Sequence, residues 1–218
     1  MLKCSKEDCT GCGACAFVCP KQAIKMEKTM DGFIYPKIEK ELCIGCGVCN
    51  KVCPVLNKPL VEEKPLAYAV QLKDRKILQQ CASGGAFYGI AKMILEQNGN
   101  VFGVKNQGTQ LVYQRVSSIE NLKELVGSKY YQCFINKENY DEIAKSTQNN
   151  LTLVSGTPCM VAAIQNMQNI NRNNLITFEI LCQGVPSELV IKKFYEEKAK
   201  KKGTSIKNHC FRSKDQYV

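Results

Sequence analysis

The chain has 218 residues, 44% of them hydrophobic, and a formal net charge of +10, which is apolar content enough for a packed core in one large or two smaller domains. No apolar run approaches the roughly 18 to 20 residues of a membrane span, and the N-terminal MLKCSKEDC has no signal-peptide block, so the expectation is a cytoplasmic chain without a membrane anchor. Fourteen cysteines in a reducing compartment exclude a disulfide framework and point to metal or redox chemistry.

In chain order, the first element is CTGCGACAFVCP, from Cys9 to Pro20, and the same grammar returns as CIGCGVCNKVCP, from Cys43 to Pro54. C-x2-C-x2-C-x3-C-P is the spacing by which two-cluster bacterial ferredoxins ligate 4Fe-4S cubanes, the fourth cysteine crossing to the other cluster. Three closely spaced thiolates cap one face of a cubane, the intervening glycines let the backbone wrap around it, and the proline turns the chain away. The crossing rule gives one cluster to Cys9, Cys12, Cys15 and Cys53, and the other to Cys43, Cys46, Cys49 and Cys19. Structural zinc is the competing reading, but zinc sites take two cysteines from each of two knuckles, whereas each run here offers four. The resemblance to a two-cluster ferredoxin spans about residues 1–58.

Between the runs, AIKMEKTMDGFIYPKI places Asp31-Gly32 between alternating apolar flanks, which predicts a β-hairpin over the clusters. Such cover limits solvent access and so influences reduction potential. Two clusters of about −2 each lower the net charge to about +6, so no nucleic-acid partner is implied. Much of the remaining basic excess lies in KKFYEEKAKKKG, residues 192–203, which reads as the solvated face of a helix.

The stretch LNKPLVEEKPLAY, with two prolines, places a linker at 59–66 between a domain at 1–58 and a second at 67–218. In the second, strands are expected at 66–72, 100–106, 110–116, 151–156 and 175–182, and helices at 85–98, 118–127, 137–146, 159–168 and 188–202. The fold class is then an α+β ferredoxin-like two-cluster domain followed by an α/β domain with a mixed sheet and flanking helices. Three turns stand out at helix starts: Cys81-Ala-Ser-Gly-Gly-Ala, Ser155-Gly-Thr-Pro-Cys159 and Cys182-Gln-Gly-Val-Pro-Ser187. Unpaired N–H groups and the macrodipole favour phosphate at such positions, and open sheets gather them at the carboxyl ends of strands, so together they point to a nucleotide-like cofactor.

The succession CASGGAF, GSKYYQC, SGTPCMVAAI and LCQGVPSELVIKKFY after a two-cluster ferredoxin module resembles the β-subunit family of deazaflavin-coenzyme-reducing hydrogenases and formate dehydrogenases. The resemblance implies an iron–sulfur flavoprotein, an oxidoreductase subunit relaying electrons between two 4Fe-4S clusters, FAD and a deazaflavin-type or other acceptor. It implies a FAD site at Ser83, Gly84, Gly85, Lys129, Gly156, Thr157, Pro158 and Gly184, with Lys129 and Cys159 as catalytic candidates. Partners on this reading are a redox protein or small-molecule acceptor within a complex of several subunits. Gln183 stands where the family often has histidine, and the sequence stops at FRSKDQYV, about where relatives continue, so three readings stay open: a fragment, a truncated gene product or a minimal member. Cys4, Cys133 and Cys210 read as free thiols, His209 as a surface histidine, and Arg212 and Lys214 as secondary candidates for a phosphate contact. Cys81, Cys159 and Cys182 adjoin the glycine turns and are candidates for redox or additional metal roles there. Two other readings stay open: an electron carrier without its own flavin that serves a catalytic partner, and a nucleotide or sugar-phosphate binding protein of polysaccharide assembly.

Overall fold

The computed structural model describes residues 2–59, 64–206 and 211–212. His209, Cys210, Lys214 and residues 60–63 of the expected linker lie outside them. Two short helices, α1 (Ala14–Phe17) and α2 (Val48–Val52), start at Gly13 and Gly47, whose φ of 83° and 76° no branched residue adopts without strain. Between them the expected hairpin forms, β1 (Ile24–Lys28) antiparallel to β2 (Ile34–Ile38), with Ile24 opposite Ile38.

The rest of the chain builds a mixed sheet. Helix α3 (Arg75–Gln80) is capped by the Asp74 carboxylate, and α4 (Ala86–Glu96) leads into β3 (Asn100–Gln107). A two-residue turn at Gly108 and Thr109 returns the chain as β4 (Gln110–Val116). There follow α5 (Ile119–Leu122), α6 (Lys137–Asn149), β5 (Thr152–Gly156), α7 (Pro158–Gln165), a 3-10 turn at Arg172–Asn174, β6 (Leu175–Glu179) and α8 (Glu188–Lys202). The strand order is β4-β3-β5-β6, with β3 parallel to β5, β5 parallel to β6, and β4 antiparallel at one edge.

Alternation along the strands distributes two cores over the two faces of this sheet. Val101, Val116 and Leu153 pack against Ala91, Ile94 and Leu95 of α4 and Leu122 of α5. Their neighbours Phe102, Tyr113 and Val154 pack on the other face with Tyr140 and Ile143 of α6 and Met160, Ala163 and Ile164 of α7. All of β5 is buried, as befits a central parallel strand covered on both sides. The polar ends are paired: Asn100 donates to Ser146 Oγ at 2.9 Å, and Ser146 meets Thr152 Oγ1 at 2.7 Å.

Ala14 and Val52, from the two cysteine-bearing helices, belong to the same core as Phe102 and Tyr140. Polar contacts reinforce the seam. The Tyr140 hydroxyl donates to Cys12 O at 2.8 Å, Ile34 N donates to Gln132 Oε1 at 3.0 Å, and Asn166 Nδ2 donates to Asn57 O at 2.7 Å.

Three expected elements differ. Residues 66–72 form no strand, because Leu72 N donates to Gly84 O at 2.9 Å and the segment lies over the glycine turn instead of joining a sheet. The helix expected at 118–127 stops at Leu122, where i to i+3 bonds from Glu124 N and Leu125 N tighten the chain before Gly127 turns left-handed. The last strand ends at Glu179, not at residue 182, leaving Ile180 and Leu181 exposed. Helix α3, unforeseen, rests on Asp74 accepting from Lys76 N and Ile77 N.

Candidate metal centres

The two cysteine runs converge on two cavities. One is lined by Cys9, Cys12, Cys15 and Cys53 together with Cys4, Gly11, Pro36 and Pro54. The other is lined by Cys43, Cys46, Cys49 and Cys19 together with Ile24, Ile38 and Ile44. Each cavity thus receives three cysteines of one run and the fourth of the other. The hairpin supplies apolar walls to both, through Pro36 in the first and Ile24 and Ile38 in the second.

Backbone N–H groups are directed at these sulfurs. Ala23 N donates to Cys19 Sγ at 3.3 Å, and Cys9, Cys12, Cys15 and Cys49 accept from the amides of Gly11, Ala14, Ala16 and Asn50. Such bonds stabilise thiolate and tune the potential of a bound cluster. Burial works the other way: it pushes Cys12 up to about 11 and raises Cys9, Cys15 and Cys49 as well. A set of thiols this crowded ionises only when a cation compensates the charge. Among the described residues, no three His, Cys, Asp or Glu side chains lie close enough to hold a single metal ion. Four cysteines spread around a cavity, with amide donors to the sulfurs, suit a cubane, whose ligands stand farther apart than those of one zinc.

The two centres sit in different surroundings. At the first, a Cβ on Gly11 would stand 2.5 Å from Ile34 O, and one on Gly13 would stand 2.7 Å from the Phe134 ring, so the loop is packed against the sheet-bearing half. At the second, Gly45 and Gly47 have nothing within 4 Å, Cys46 is exposed and Ile44 is 62% exposed. One centre is interior and the other peripheral.

The glycine turns lie at one end of the sheet. Gly156 and Glu179 are paired at the ends of parallel β5 and β6, so the turns into α7 and α8 leave the same edge. The turn before α4 reaches that edge too, because α4 runs back to the start of β3. Its Gly84 is closed by the chain itself, since a Cβ there would stand 2.0 Å from Val70 O, and Gly85 abuts the Leu72 side chain, while Ser83 is exposed. Thr157 Oγ1 lies 3.2 Å from Cys159 Sγ, Pro158 opens α7, and Gly184 is exposed with nothing within 4 Å of a built Cβ. Cys159 is close enough to the first centre to oppose ionisation of Cys12 and Cys9.

Lys129 does not project from its turn. Its ammonium donates to Leu125 O at 2.8 Å and Val126 O at 2.7 Å, and burial lowers it to about 8. Cys133, read as a simple free thiol, lies half-buried near it and is pushed up to about 12 by desolvation. Cys4, read as a free thiol, lines the first cavity together with Cys53 and Cys9. No spacing rule ties a cysteine five residues ahead of the run to the site.

Residues 8–57 match the family model described as a 4Fe-4S dicluster domain, and residues 150–218 match the model described as the C terminus of the coenzyme F420 hydrogenase/dehydrogenase beta subunit. No curated protein matches the chain. Among solved structures, a chain of the F420-reducing NiFe hydrogenase complex from Methanosarcina barkeri is similar at 17% identity and a TM-score of 0.48, over 60% of this chain and 48% of that one. The chain therefore spans about half the length of that relative. No described helix is long and apolar enough to cross a membrane. Residues 8–57 are thus similar to 4Fe-4S dicluster domains, and residues 150–218 to the C terminus of coenzyme F420 hydrogenase/dehydrogenase beta subunits.

Proposed function

We propose that the chain is an electron-transfer subunit of a larger redox complex, holding one 4Fe-4S cluster through Cys9, Cys12, Cys15 and Cys53 and a second through Cys43, Cys46, Cys49 and Cys19. The observation that carries this reading is the lining of the two cavities by those crossed sets. The clusters supply one-electron transfer. The protein's own part is to direct amides at the sulfurs, to exclude water with Ile24, Ile38 and Pro36, and to anchor the first loop through Tyr140.

The surroundings order the path. The peripheral second centre faces a partner, and the interior first centre faces the carboxyl edge of the sheet, beside Cys159 and the turn it closes. FAD is the acceptor proposed at that edge, against the turns at Gly156–Cys159 and Cys182–Ser187, where unpaired N–H groups at the starts of α7 and α8 favour its pyrophosphate. A deazaflavin or another acceptor would exchange electrons with it. What supports this part is the family match over residues 150–218 and the common edge of the two turns.

A second reading has its own observation. The turn at Gly84 is filled by residues 70–72 and the Lys129 ammonium is engaged by carbonyls, which favours an electron carrier without its own flavin. Anaerobic purification with iron, sulfide, zinc and flavin quantitation separates the cases. The proposal expects about eight irons per chain with FAD in equal amount to protein. Full iron without flavin selects the carrier, and stoichiometric zinc with negligible sulfide overturns the cluster assignment.

A further inference from the structure

The first centre has five cysteines at its cavity and the second has four. The fifth is held in place. Lys3 N donates to Asn50 Oδ1 at 2.7 Å, which fixes the N-terminal segment against α2, the helix between Cys49 and Cys53. Leu2 lines both cavities, so the segment runs between them and delivers Cys4 to the first. There it lines the cavity together with Cys53 and Cys9. A free structural thiol needs no such position, and among the described residues no fifth cysteine lines the second cavity.

We propose that Cys4 is an exchangeable ligand of the first cluster, able to take over from Cys53 the iron that Cys53 holds. The inference rests on the cluster assignment proposed above. The exchange is a ligand substitution without redox change: the Fe–S bond to Cys53 breaks, one to Cys4 forms, and the proton of the Cys4 thiol passes to the Cys53 sulfur. Cys4 is fit for it because it lines the same cavity as the cysteine it replaces. It lies ahead of the cysteine run rather than within the wrapped loop, so the exchange leaves that loop in place.

The test uses the full chain, purified anaerobically, with iron and sulfide content and electron paramagnetic resonance of the reduced protein. Cys53→Ala is expected to keep about eight irons, with one of the two cluster spectra altered. Cys4→Ala/Cys53→Ala is expected to fall to about four, and Cys19→Ala, whose site has no spare thiol, to fall to about four alone. If Cys53→Ala loses a cluster as Cys19→Ala does, or if the double variant keeps both, the exchange is overturned. Should Cys53→Ala fail to fold, Cys4→Ala against the wild type decides. An iron chelator should strip one cluster several-fold faster from Cys4→Ala while the other leaves at the wild-type rate, and equal rates overturn the proposal. A wild-type chain without about eight irons sinks the underlying assignment instead, so the two failures are told apart.

Discussion

Replacing Lys129 by methionine tests the placement of a charge that the sequence alone assigns to a cofactor. In the structure its ammonium is bonded to the carbonyls of Leu125 and Val126, and burial lowers it from 10.5 to about 8. A base depressed on folding gives up its proton first in the native state, so the unfolded chain binds more protons and stability rises with pH from about 8 towards 10.5. Between about pH 7 and about pH 9 the gain is about 1.4 kcal/mol. The two carbonyl hydrogen bonds favour the charged form and make this an upper bound. Lys129→Met abolishes the titration and leaves two carbonyls without this donor, a cost of about 1–3 kcal/mol at every pH. Cys133, raised from 9.0 to about 12, acts with the opposite sign only above about 9, which sets the upper limit of the useful range. Anaerobic urea denaturation across that range, followed by circular dichroism, should show a rising wild-type curve and a flatter, lower variant curve. Parallel curves would refute the burial argument, and unchanged stability would return Lys129 to the surface.

Tyr140→Phe leaves the Cys12 carbonyl without its 2.8 Å donor while preserving the stack on Phe17, so a loss of about 1–2 kcal/mol is expected, with cluster absorbance bleaching at a lower temperature than in the wild type. Gly84→Ala drives a Cβ to 2.0 Å from Val70 O, and denaturation should report a loss of about 1–3 kcal/mol; a neutral result would mean that residues 70–72 do not hold the turn. Asp74→Ala removes the acceptor of Lys76 N and Ile77 N and should cost about 1 kcal/mol, without changing iron content.

The legible parts of this chain were those whose signal is local. The crossed cysteine sets follow from spacing because a cubane fixes where its ligands must stand, and the cavities group the same residues. The hairpin at Asp31-Gly32 and the strands β3, β4 and β5 follow from alternation, since each residue pair needs only one buried face. Residues 66–72 alternate equally well, yet Leu66 and Tyr68 remain exposed, because Leu72 N bonds Gly84 O and the segment lies over the glycine turn instead of pairing with a strand. The surroundings of Lys129 and Cys4 were not legible for other reasons: no spacing rule says that the Lys129 ammonium turns back onto the carbonyls of Leu125 and Val126, and the segment carrying Cys4 is fixed by Asn50, far from it in the chain.

The two runs look interchangeable in the sequence, and the fold makes them different. Gly13 starts α1 against Phe134 and Ile135, whereas Gly47 starts α2 in open space. The difference comes from the partners, not from the motif: both helices reach the core, through Ala14 and Val52, but a Cβ on Gly11 or Gly13 would meet Ile34 or Phe134, whereas one on Gly45 or Gly47 would meet nothing within 4 Å. A centre enclosed by protein loses water and the stabilisation that water gives to charge, so adding an electron there is harder unless hydrogen bonds offset it. The amides of Gly11, Ala14 and Ala16 are the offsetting donors at the enclosed site. Two clusters held by one repeated motif are therefore expected to differ in potential, and the exposed one is the more accessible to an outside partner. On the proposed function, that inequality, created by where α6 and the 132–135 segment pack, would give a duplicated ligand motif a path with a direction.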